Sequence, residues 1–313
     1  MDSGNHDDLS PLYGISAIGA PANSTWAATQ TPGCEITVWY FGLDSGVDTD
    51  HPDLNVVEVL NFVAAEPGHD GEDGHGHGTH TAGSATAIDG NGGVVGVAPG
   101  APIHSFRVCE DGGSCQTADM VAAMDEVVAQ RTANPNQPMV ANMSIGGPID
   151  VAIDAALRGS INAGIVYAVA AGNGALGACI FPANASGVSP ARVGDDEIDV
   201  FGDSAGDDGL INGVITTTSH NSSFADVNCN FGAPVSVAAP GLGIMSSWLN
   251  GGYNTISGTS MATPHVAGAA LLYLQDHPTA APAEVEAAIV SLLKPWTTND
   301  LPNASGRLSV DGL

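Results

Sequence analysis

Strand-length apolar runs alternate with helical patterns along most of this chain, and this alternation restricts the fold more than any other feature. The strand-like runs lie near 36–43, 103–108, 138–143, 165–170, 213–217 and 234–239, and the helical patterns lie at 77–87, 116–130, 149–163, 259–276 and 282–293. Strands that are each followed by a helix form parallel sheets, because the helix carries the chain back across one face. We therefore predict a three-layer α/β fold, with a mostly parallel central sheet and helices on both faces.

The length of the chain is compatible with one large domain. Its 313 residues can bury a sizeable core, and the sequence contains no internal repeat and no run of 18 apolar residues. We expect a single domain over 1–313, with an N-terminal arm at 1–34, an acidic insertion at 190–212 and no transmembrane segment. The first residues lack the basic and apolar regions of a signal peptide, so we read the sequence as a mature form.

Ser260 lies just after a glycine, at the predicted start of a helix made of small residues. A helix N-terminus offers unpaired N–H groups and a partial positive charge, which suit a serine whose attack on a carbonyl creates an oxyanion. Pro264 falls in the first turn, where its missing N–H costs little. A plain buried helix capped by Ser or Thr is the alternative, and this segment alone does not separate the two.

A base and an orienting carboxylate for such a serine occur upstream. Asp44 ends an apolar strand-like run, at the edge where α/β folds place their chemistry, although a turn aspartate is the alternative. His75, His77 and His80 follow within six residues. They could bind zinc, but the His-Glu-x-x-His pattern is missing and no cysteine pair lies nearby.

Together, these segments resemble the subtilisin-like serine proteases, both in the residues of each motif and in the order of the motifs along the chain. The resemblance rests on three motifs, Leu43-Asp44-Ser45-Gly46-Val47-Asp48, His77-Gly78-Thr79-His80 and Gly258-Thr259-Ser260-Met261-Ala262-Thr263-Pro264-His265. A chance match to all three in this order is negligible, and the similarity runs from about Tyr13 to the C-terminus.

The resemblance implies a serine endopeptidase of broad specificity. Ser260 would be acylated, His77 would act as the general base, and Asp44 would orient His77 and stabilise its cation. His80 matches a structural histidine of the family, and His75 matches no family role.

The resemblance also implies the two donors that stabilise the oxyanion. Asn173 follows the strand-like run at 165–170, and its side-chain amide would act together with the Ser260 backbone N–H. Taken alone, Asn173 between two glycines would be an ordinary turn residue.

Substrate-binding positions follow from the same resemblance, with a strand edge at 140–148 to which an extended peptide adds by backbone hydrogen bonds. The two sides of the first specificity pocket would be Ser144, Ile145 and Gly146 and, opposite them, Ala170, Ala171 and Gly172. The opposite rim of the cleft would be Gly112, Gly113 and Ser114, and the pocket floor would be Ile180. A floor residue of this size would shorten the pocket.

The charge of the chain excludes some partners. It has 34 acidic and 6 basic residues, and its formal net charge is −28. Such a surface repels nucleic acids and anionic membranes. It indicates either adaptation to high salt, which screens self-repulsion, or a generally acidic secreted protein with calcium sites. Lys294 is the only lysine, and this depletion favours the halophilic reading.

A structural Ca²⁺ is implied by the resemblance, in the loop after the histidine helix. The ligand positions would be Asp53, Ile88, Asp89, Asn91, Gly92 and Val94. Gly90 stands where the family usually has an asparagine ligand, so Asp89 or Asn91 would have to substitute. A glycine-rich turn with solvated acidic residues is the alternative.

The chain has five cysteines, an odd number, so disulfides within the chain leave at least one cysteine unpaired. Cys109 and Cys115 bracket a short glycine-rich loop, and Cys179 and Cys229 flank the insertion, so each pair could form a disulfide and leave Cys34 free. Sequence does not fix the pairing. Disulfides fit an extracytoplasmic compartment.

The acidic insertion departs from the family pattern, with acidic residues in 194–203 and 207–208. We favour a solvated surface loop over an extra calcium site or a preference for basic substrates. The remaining expectations are protein or peptide substrates, a propeptide in the precursor, secretion and a monomer. A peptide ligase or a silent binding protein with the same fold is the alternative function.

Overall fold

A computed structural model describes residues 13–20, 26, 35–174, 179–195, 213–223, 229–295 and 306–313 of the protein. The strands are Trp39–Asp44 (β1), Val56–Asn61 (β2), Ile103–Arg107 (β3), Met139–Met143 (β4), Val166–Ala170 (β5), Val214–His220 (β6), Val237–Pro240 (β7), Ile244–Trp248 (β8) and Gly252–Ile256 (β9). The α-helices are Tyr13–Ala17 (α1), His77–Thr86 (α2), Thr117–Ala133 (α3), Val151–Asn162 (α4), Thr259–Asp276 (α5) and Pro282–Ser291 (α6).

Seven of these strands form one parallel sheet in the order β2-β3-β1-β4-β5-β6-β7. β8 and β9 form a separate antiparallel pair. The prediction of a mostly parallel α/β sheet is therefore confirmed, and each predicted strand and helix is present within a few residues. The short helix α1, β2 and the β8–β9 pair were not predicted; most residues of β2 and β9 are half-buried, so these strands give a weaker apolar signal.

Helices cover both faces of the sheet, as the three-layer prediction requires. The side chains of β1 alternate between the two cores, with Tyr40 in one and Phe41 and Leu43 in the other. The first core packs against α2, α5 and α6, and the second packs against α3 and α4. The central strands are buried on both faces, which explains why they read as continuous apolar runs.

Helix α5 runs through the first core, and its small residues let it approach the segment after α2 closely. Val266, Ala267 and Ala270 are fully buried. A Cβ on Gly268 would lie 2.5 Å from the Cβ of Val97, so the contact requires glycine. The small-residue run that marked this helix in the sequence is therefore a packing requirement.

Two disulfides are present, Cys109–Cys115 and Cys179–Cys229. These are the two pairs that the sequence analysis expected. The second closes a loop with a sequence separation of 50, and such a loop stabilises the fold by about 4 kcal/mol through loss of chain entropy in the unfolded state. Cys34, most of the N-terminal arm and residues 196–212 of the insertion lie outside the described residues.

In the part of the chain that the structure describes, every helix is too short or too polar to cross a bilayer.

Candidate active site

One cavity of about 490 Å³ lies at the carboxyl edge of the sheet. All four of the predicted catalytic and oxyanion residues reach its wall, namely Asp44, His77, Asn173 and Ser260. They come from the end of β1, the start of α2, the turn after β5 and the first turn of α5. Parallel strands all end at this edge, so residues far apart in the sequence meet there.

Asp44 and His77 form a direct pair. His77 Nδ1 lies 2.7 Å from Asp44 Oδ1, and the two side chains are 23% and 4% exposed. The Ser45 N–H donates to the same carboxylate oxygen at 2.8 Å, which fixes its orientation. With the Nδ1–H donated to the carboxylate, Nε2 is the ring nitrogen that can accept a proton.

The charge of Asp44 also sets the protonation of His77. Burial by itself lowers the pKa of His77, but the charge and hydrogen bond of Asp44, with a smaller contribution from the charge of Asp73, raise this pKa above its usual value. The protonated imidazole is therefore stabilised at this position, as a group that accepts and returns a proton requires.

Two glycines let α2 begin directly against the end of β1. Gly76 has a φ of 95°, and a Cβ there would lie 2.5 Å from the Trp248 ring. A Cβ on Gly78 would lie 2.1 Å from the Gly46 carbonyl oxygen. The glycines around His77 are thus needed to bring its ring to Asp44.

Ser260 lies at the cavity wall, but its hydroxyl points to the neighbouring strand edge. Ser260 Oγ donates to the Ser144 carbonyl at 3.0 Å, and Ser144 Oγ donates to the Ser260 carbonyl at 2.8 Å. Among the described residues, Ser260 and His77 are not joined by a hydrogen bond. Catalytic hydrogen bonds are commonly loose without substrate and tighten when it binds. The expected contact between serine and base therefore stays a prediction.

Asn173 is oriented by the residue that precedes Ser260. Its Oδ1 accepts the Thr259 N–H at 2.8 Å and the Thr259 hydroxyl at 3.0 Å. A backbone N–H only donates, so the oxygen of the amide must be the anchored atom and Nδ2 is the end left to donate. A Cβ on Gly258 would lie 3.1 Å from Asn173 Oδ1, which makes this a tight contact.

The structure brings only part of the predicted substrate pocket to the cavity. Its wall includes five of the predicted positions: Gly112, Gly113, Ser144, Ile145 and Gly146. Four others are not among its lining residues: Ser114, Ala170, Ala171 and Gly172. Ala170 and Ala171 are buried beneath the surface, as expected for residues at the end of a central strand.

The predicted pocket floor requires a correction. Ile180 is 59% exposed and does not line the cavity. Ser189 and Pro190 line the wall instead, because Ser189 pairs with Gly147 through two backbone hydrogen bonds of 3.0 and 3.1 Å. The start of the acidic insertion therefore borders the cleft, and this long-range pairing has no local signature in the sequence.

The cavity wall also contains residues that the sequence analysis did not assign. Asp150 lines it, and its carboxylate accepts the Thr117 hydroxyl at 2.6 Å and the Ala152 N–H at 2.9 Å. The hydrogen bond from Thr117 makes the largest contribution to a lowered pKa of Asp150, and the hydrogen bond from the Ala152 N–H lowers this pKa further. His75 lines the wall as well. Asp150 lies just before the helix α4, and this N-cap position is the sequence signal that could have drawn attention to it.

The expected calcium ligands are centred on Asp53, which is fully buried. Its Oδ2 accepts the Val94 N–H at 3.1 Å and the Tyr253 hydroxyl at 2.9 Å, whereas its Oδ1 has no hydrogen-bond partner among the described residues. A buried carboxylate oxygen that accepts no hydrogen bond is a suitable ligand for a hard cation such as Ca²⁺. Ile88 and Asp89 are half-buried and Asn91 and Gly92 are exposed in the same loop.

A second acidic cluster, Glu66, His69 and Asp111, has the spacing of metal ligands. The fully buried guanidinium of Arg107 already contacts Glu66 and lies 2.9 Å from Asp111. Because this cation pairs with both carboxylates, the cluster is explained without a metal.

Comparison with known proteins agrees with the geometry. A model of the subtilase family matches residues 42–306. The chain is 35% identical over 309 residues to the alkaline serine exoprotease A of Vibrio alginolyticus, covering 98% of this chain and 51% of that protein. It is 38% identical over 269 residues to the extracellular serine proteinase of Thermus sp. strain Rt41A, covering 85% of this chain and 57% of that protein.

The fold is shared with a solved structure as well. The crystal structure of a cold adapted subtilisin-like serine proteinase matches with a TM-score of 0.72 and 33% identity, over 88% of this chain and 89% of that one. The chain spans about half of the first curated relative and 57% of the second.

Proposed function

The chain belongs to the subtilase family of serine proteases, and on that premise we propose that it is a serine endopeptidase. One observation carries the proposal: the His77 imidazole lies 2.7 Å from the Asp44 carboxylate at the wall of the cavity that Ser260 and Asn173 also line. This is the donor and acceptor set that activates a serine hydroxyl.

The proposed reaction proceeds through an acyl-enzyme. When a substrate occupies the cleft, the Ser260 hydroxyl turns from the Ser144 carbonyl to Nε2 of His77. Its oxygen attacks the scissile carbonyl carbon while Nε2 takes the proton, and Asp44 stabilises the imidazolium. His77 then gives this proton to the leaving amine as the C–N bond breaks. Water repeats the sequence on the acyl-enzyme and releases the acid.

The oxyanion of each tetrahedral intermediate requires preorganised donors. We assign this role to Asn173 Nδ2 and the Ser260 backbone N–H. The assignment is supported by the Thr259 N–H, which holds Asn173 Oδ1 at 2.8 Å and so directs the other end of the amide away from it. Donors that are fixed in this way do not have to reorganise as charge develops.

The proposed substrates are proteins or peptides bound in extended form. The strand edge that follows β4, at Ser144–Gly146, would hydrogen-bond the substrate backbone, as in strand addition. Because backbone contacts do not depend on the side chain, this mode is consistent with broad specificity. The proposal also includes substrate contacts of four predicted residues that do not line the cavity: Ser114, Ala170, Ala171 and Gly172.

We also propose a structural Ca²⁺ at Asp53 and the loop 88–94, supported by the buried Oδ1 of Asp53, which has no hydrogen-bond partner in the described part of the chain. The ion would supply charge neutralisation for this carboxylate. If the site is used, a chelator lowers the thermal unfolding temperature of the Ser260→Ala protein and added Ca²⁺ restores it. An unchanged unfolding temperature contradicts the site. Secretion and a propeptide in the precursor are further proposals that follow from the family.

The test of the activity uses three proteins: the unmodified chain, Ser260→Ala and Ser291→Ala, a control at an exposed serine on α6. Only Ser260→Ala is expected to lose peptide cleavage, by a factor of about 10⁶, a magnitude carried over from this family of proteases. The masses of the two products of each cleavage should sum to the mass of the substrate plus one water. A serine-directed phosphonate should modify the folded protein at residue 260. Cleavage that survives in Ser260→Ala would refute the assignment.

A further inference from the structure

Asp73 is a buried carboxylate that links the two segments carrying the proton-transfer pair. It is 8% exposed and lies in the loop before α2. Its two oxygens accept hydrogen bonds from Ser45 Oγ (2.9 Å), His75 N–H (2.9 Å), Gly76 N–H (2.8 Å), Thr79 N–H (2.9 Å) and Thr79 Oγ1 (2.6 Å). Five donors converge on one side chain, which is more than a simple helix cap requires.

On the β1 side, Asp73 acts through Ser45. The Ser45 hydroxyl donates to Asp73 and accepts the Gly78 N–H at 3.0 Å, while the Ser45 N–H donates to Asp44 Oδ1 at 2.8 Å. Ser45 therefore joins Asp73, the Asp44 carboxylate and the first turn of α2. A displacement of Ser45 would move the carboxylate to which His77 is bonded.

On the helix side, Asp73 holds the backbone on both sides of His77. Its oxygens accept the N–H groups of Gly76 and Thr79, which are left without intrahelical partners at the start of α2. Gly76 has no side chain and supplies no cap of its own. The position of the His77 backbone therefore depends on this carboxylate.

We propose that Asp73 is a positioning residue for the Asp44–His77 pair, which it holds in register by binding the segments on both sides. The inference rests on the proposed function of that pair. A residue that only capped α2 would explain the contacts with Gly76 and Thr79. It would not explain the hydrogen bond across to Ser45 on the β1 side.

The charge of Asp73 gives the proposal a second readout. Among the described residues, the charges that shift the pKa of His77 are Asp44 from β1 and Asp73 from the preceding loop. Two further titratable groups lie near it: His80 in the next turn of α2, whose pKa His77 lowers, and His75, whose ring centroid lies 6.2 Å away. Burial lowers the pKa of His77, and Asp44 and then Asp73 raise it. Loss of the Asp73 charge should therefore lower the pKa of His77.

Asp73→Asn is the test variant, and Asp70→Asn is its matched control. The amide keeps the shape of the carboxylate but turns one acceptor into a donor that faces other donors. Asp70 carries the same charge three residues earlier, but its side chain is 77% exposed and accepts the Glu72 N–H at 3.1 Å. Steady-state kinetics on one peptide, thermal unfolding and NMR titration of the His77 ring are measured for both.

The expected result is a selective defect in Asp73→Asn. Its kcat should fall by about 10²-fold, the effect of a misplacement of about 1 Å, while KM changes little. The acid limb of its kcat/KM profile and the NMR titration of His77 should both move to lower pH. Asp70→Asn should match the unmodified protein in all of these measurements.

The proposal is overturned if Asp73→Asn matches Asp70→Asn in kcat and in the titration of His77, or if it loses only thermal stability. Should Asp73→Asn fail to fold, Ser45→Ala removes the hydroxyl that links Asp73 to the β1 side, together with the acceptor of the Gly78 N–H. A lowered kcat in folded Ser45→Ala then supports the proposal, and an unmodified kcat refutes it. If the parent protein cleaves no peptide, the proposed function fails, yet the titration of His77 still tests Asp73.

Discussion

Three buried histidines should make this protein sensitive to acid. His80, His220 and His265 are each at most 2% exposed, and each shares a hydrogen bond with a backbone carbonyl. Burial lowers the pKa of each of them to about 4, and partly compensating backbone hydrogen bonds do not offset it. Protonation of these rings inside the fold would place an imidazolium charge in the protein interior, away from water.

The size of the effect follows from the shift. Between pH 6.5 and pH 4 the unfolded chain binds a proton at each histidine and the native chain does not, so the free energy of unfolding falls as the pH decreases. A shift from 6.5 to about 4 corresponds to about 3 kcal/mol per histidine at 1.36 kcal/mol per pKa unit. Three such groups amount to about 10 kcal/mol, which is comparable to the whole stability of a typical domain.

The test compares Ser260→Ala, in which self-digestion is suppressed, with the double variant Ser260→Ala/His80→Gln. Glutamine can keep the hydrogen bond that His80 Nε2 makes with the Ile244 carbonyl at 3.0 Å, but it does not titrate. Urea unfolding is followed by tryptophan fluorescence at several pH values from 7 to 4. The double variant should lose about 3 kcal/mol less stability over this range.

His277→Gln, in the same Ser260→Ala background, controls for removal of a histidine from the exposed surface. The reasoning is refuted if His80→Gln and its parent lose stability in parallel between pH 6.5 and pH 4. A parallel loss would mean that the His80 ring reaches water or a hidden acceptor when it is protonated.

The remaining predictions concern catalysis, the disulfides and salt. Asn173→Ala should lower kcat by about 10²–10³-fold with little change in KM, a magnitude carried over from this protease family, and an unaltered kcat would exclude Asn173 as an oxyanion donor. The kcat/KM of the unmodified enzyme should fall on acidification through the pKa of His77, with a midpoint above 6.5, and a midpoint below this value would contradict the raised pKa. Thiol titration under denaturing, non-reducing conditions should detect one free thiol, and five would rule out both disulfides. If the net charge of −28 reflects salt adaptation, urea stability should increase from near-zero to molar salt, and equal stability at both ends would count against that reading.

The sequence was most informative where neighbouring residues determine the outcome. Runs of apolar or small residues are local properties, so a continuous apolar run located β1 and a run of small residues located α5, each to within a few residues. The glycines around His77 are local requirements too, because each removes a Cβ that would collide with a specific neighbour. For that reason the motifs could be read before the fold was known.

Backbone pairing over long distances decided what the sequence left open. Ser189 reaches the cleft because it pairs with Gly147, and this places the start of the insertion where Ile180 was expected. The side chain of Asp53, a predicted calcium ligand, accepts a hydrogen bond from Tyr253, which lies 200 positions away in the sequence. No local pattern encodes such contacts.

The sequence by itself determined most of the succession of strands and helices along the chain, the segments that carry Asp44, His77 and Ser260, and the acidic composition of the chain. Only the tertiary structure decided the direction of the Ser260 hydroxyl, the true wall of the pocket and the position of Asp73 between two segments. The physical reason is that secondary structure follows from the chemistry of adjacent residues. The orientation of a side chain in a cleft depends instead on hydrogen-bond partners that only the folded chain brings within reach.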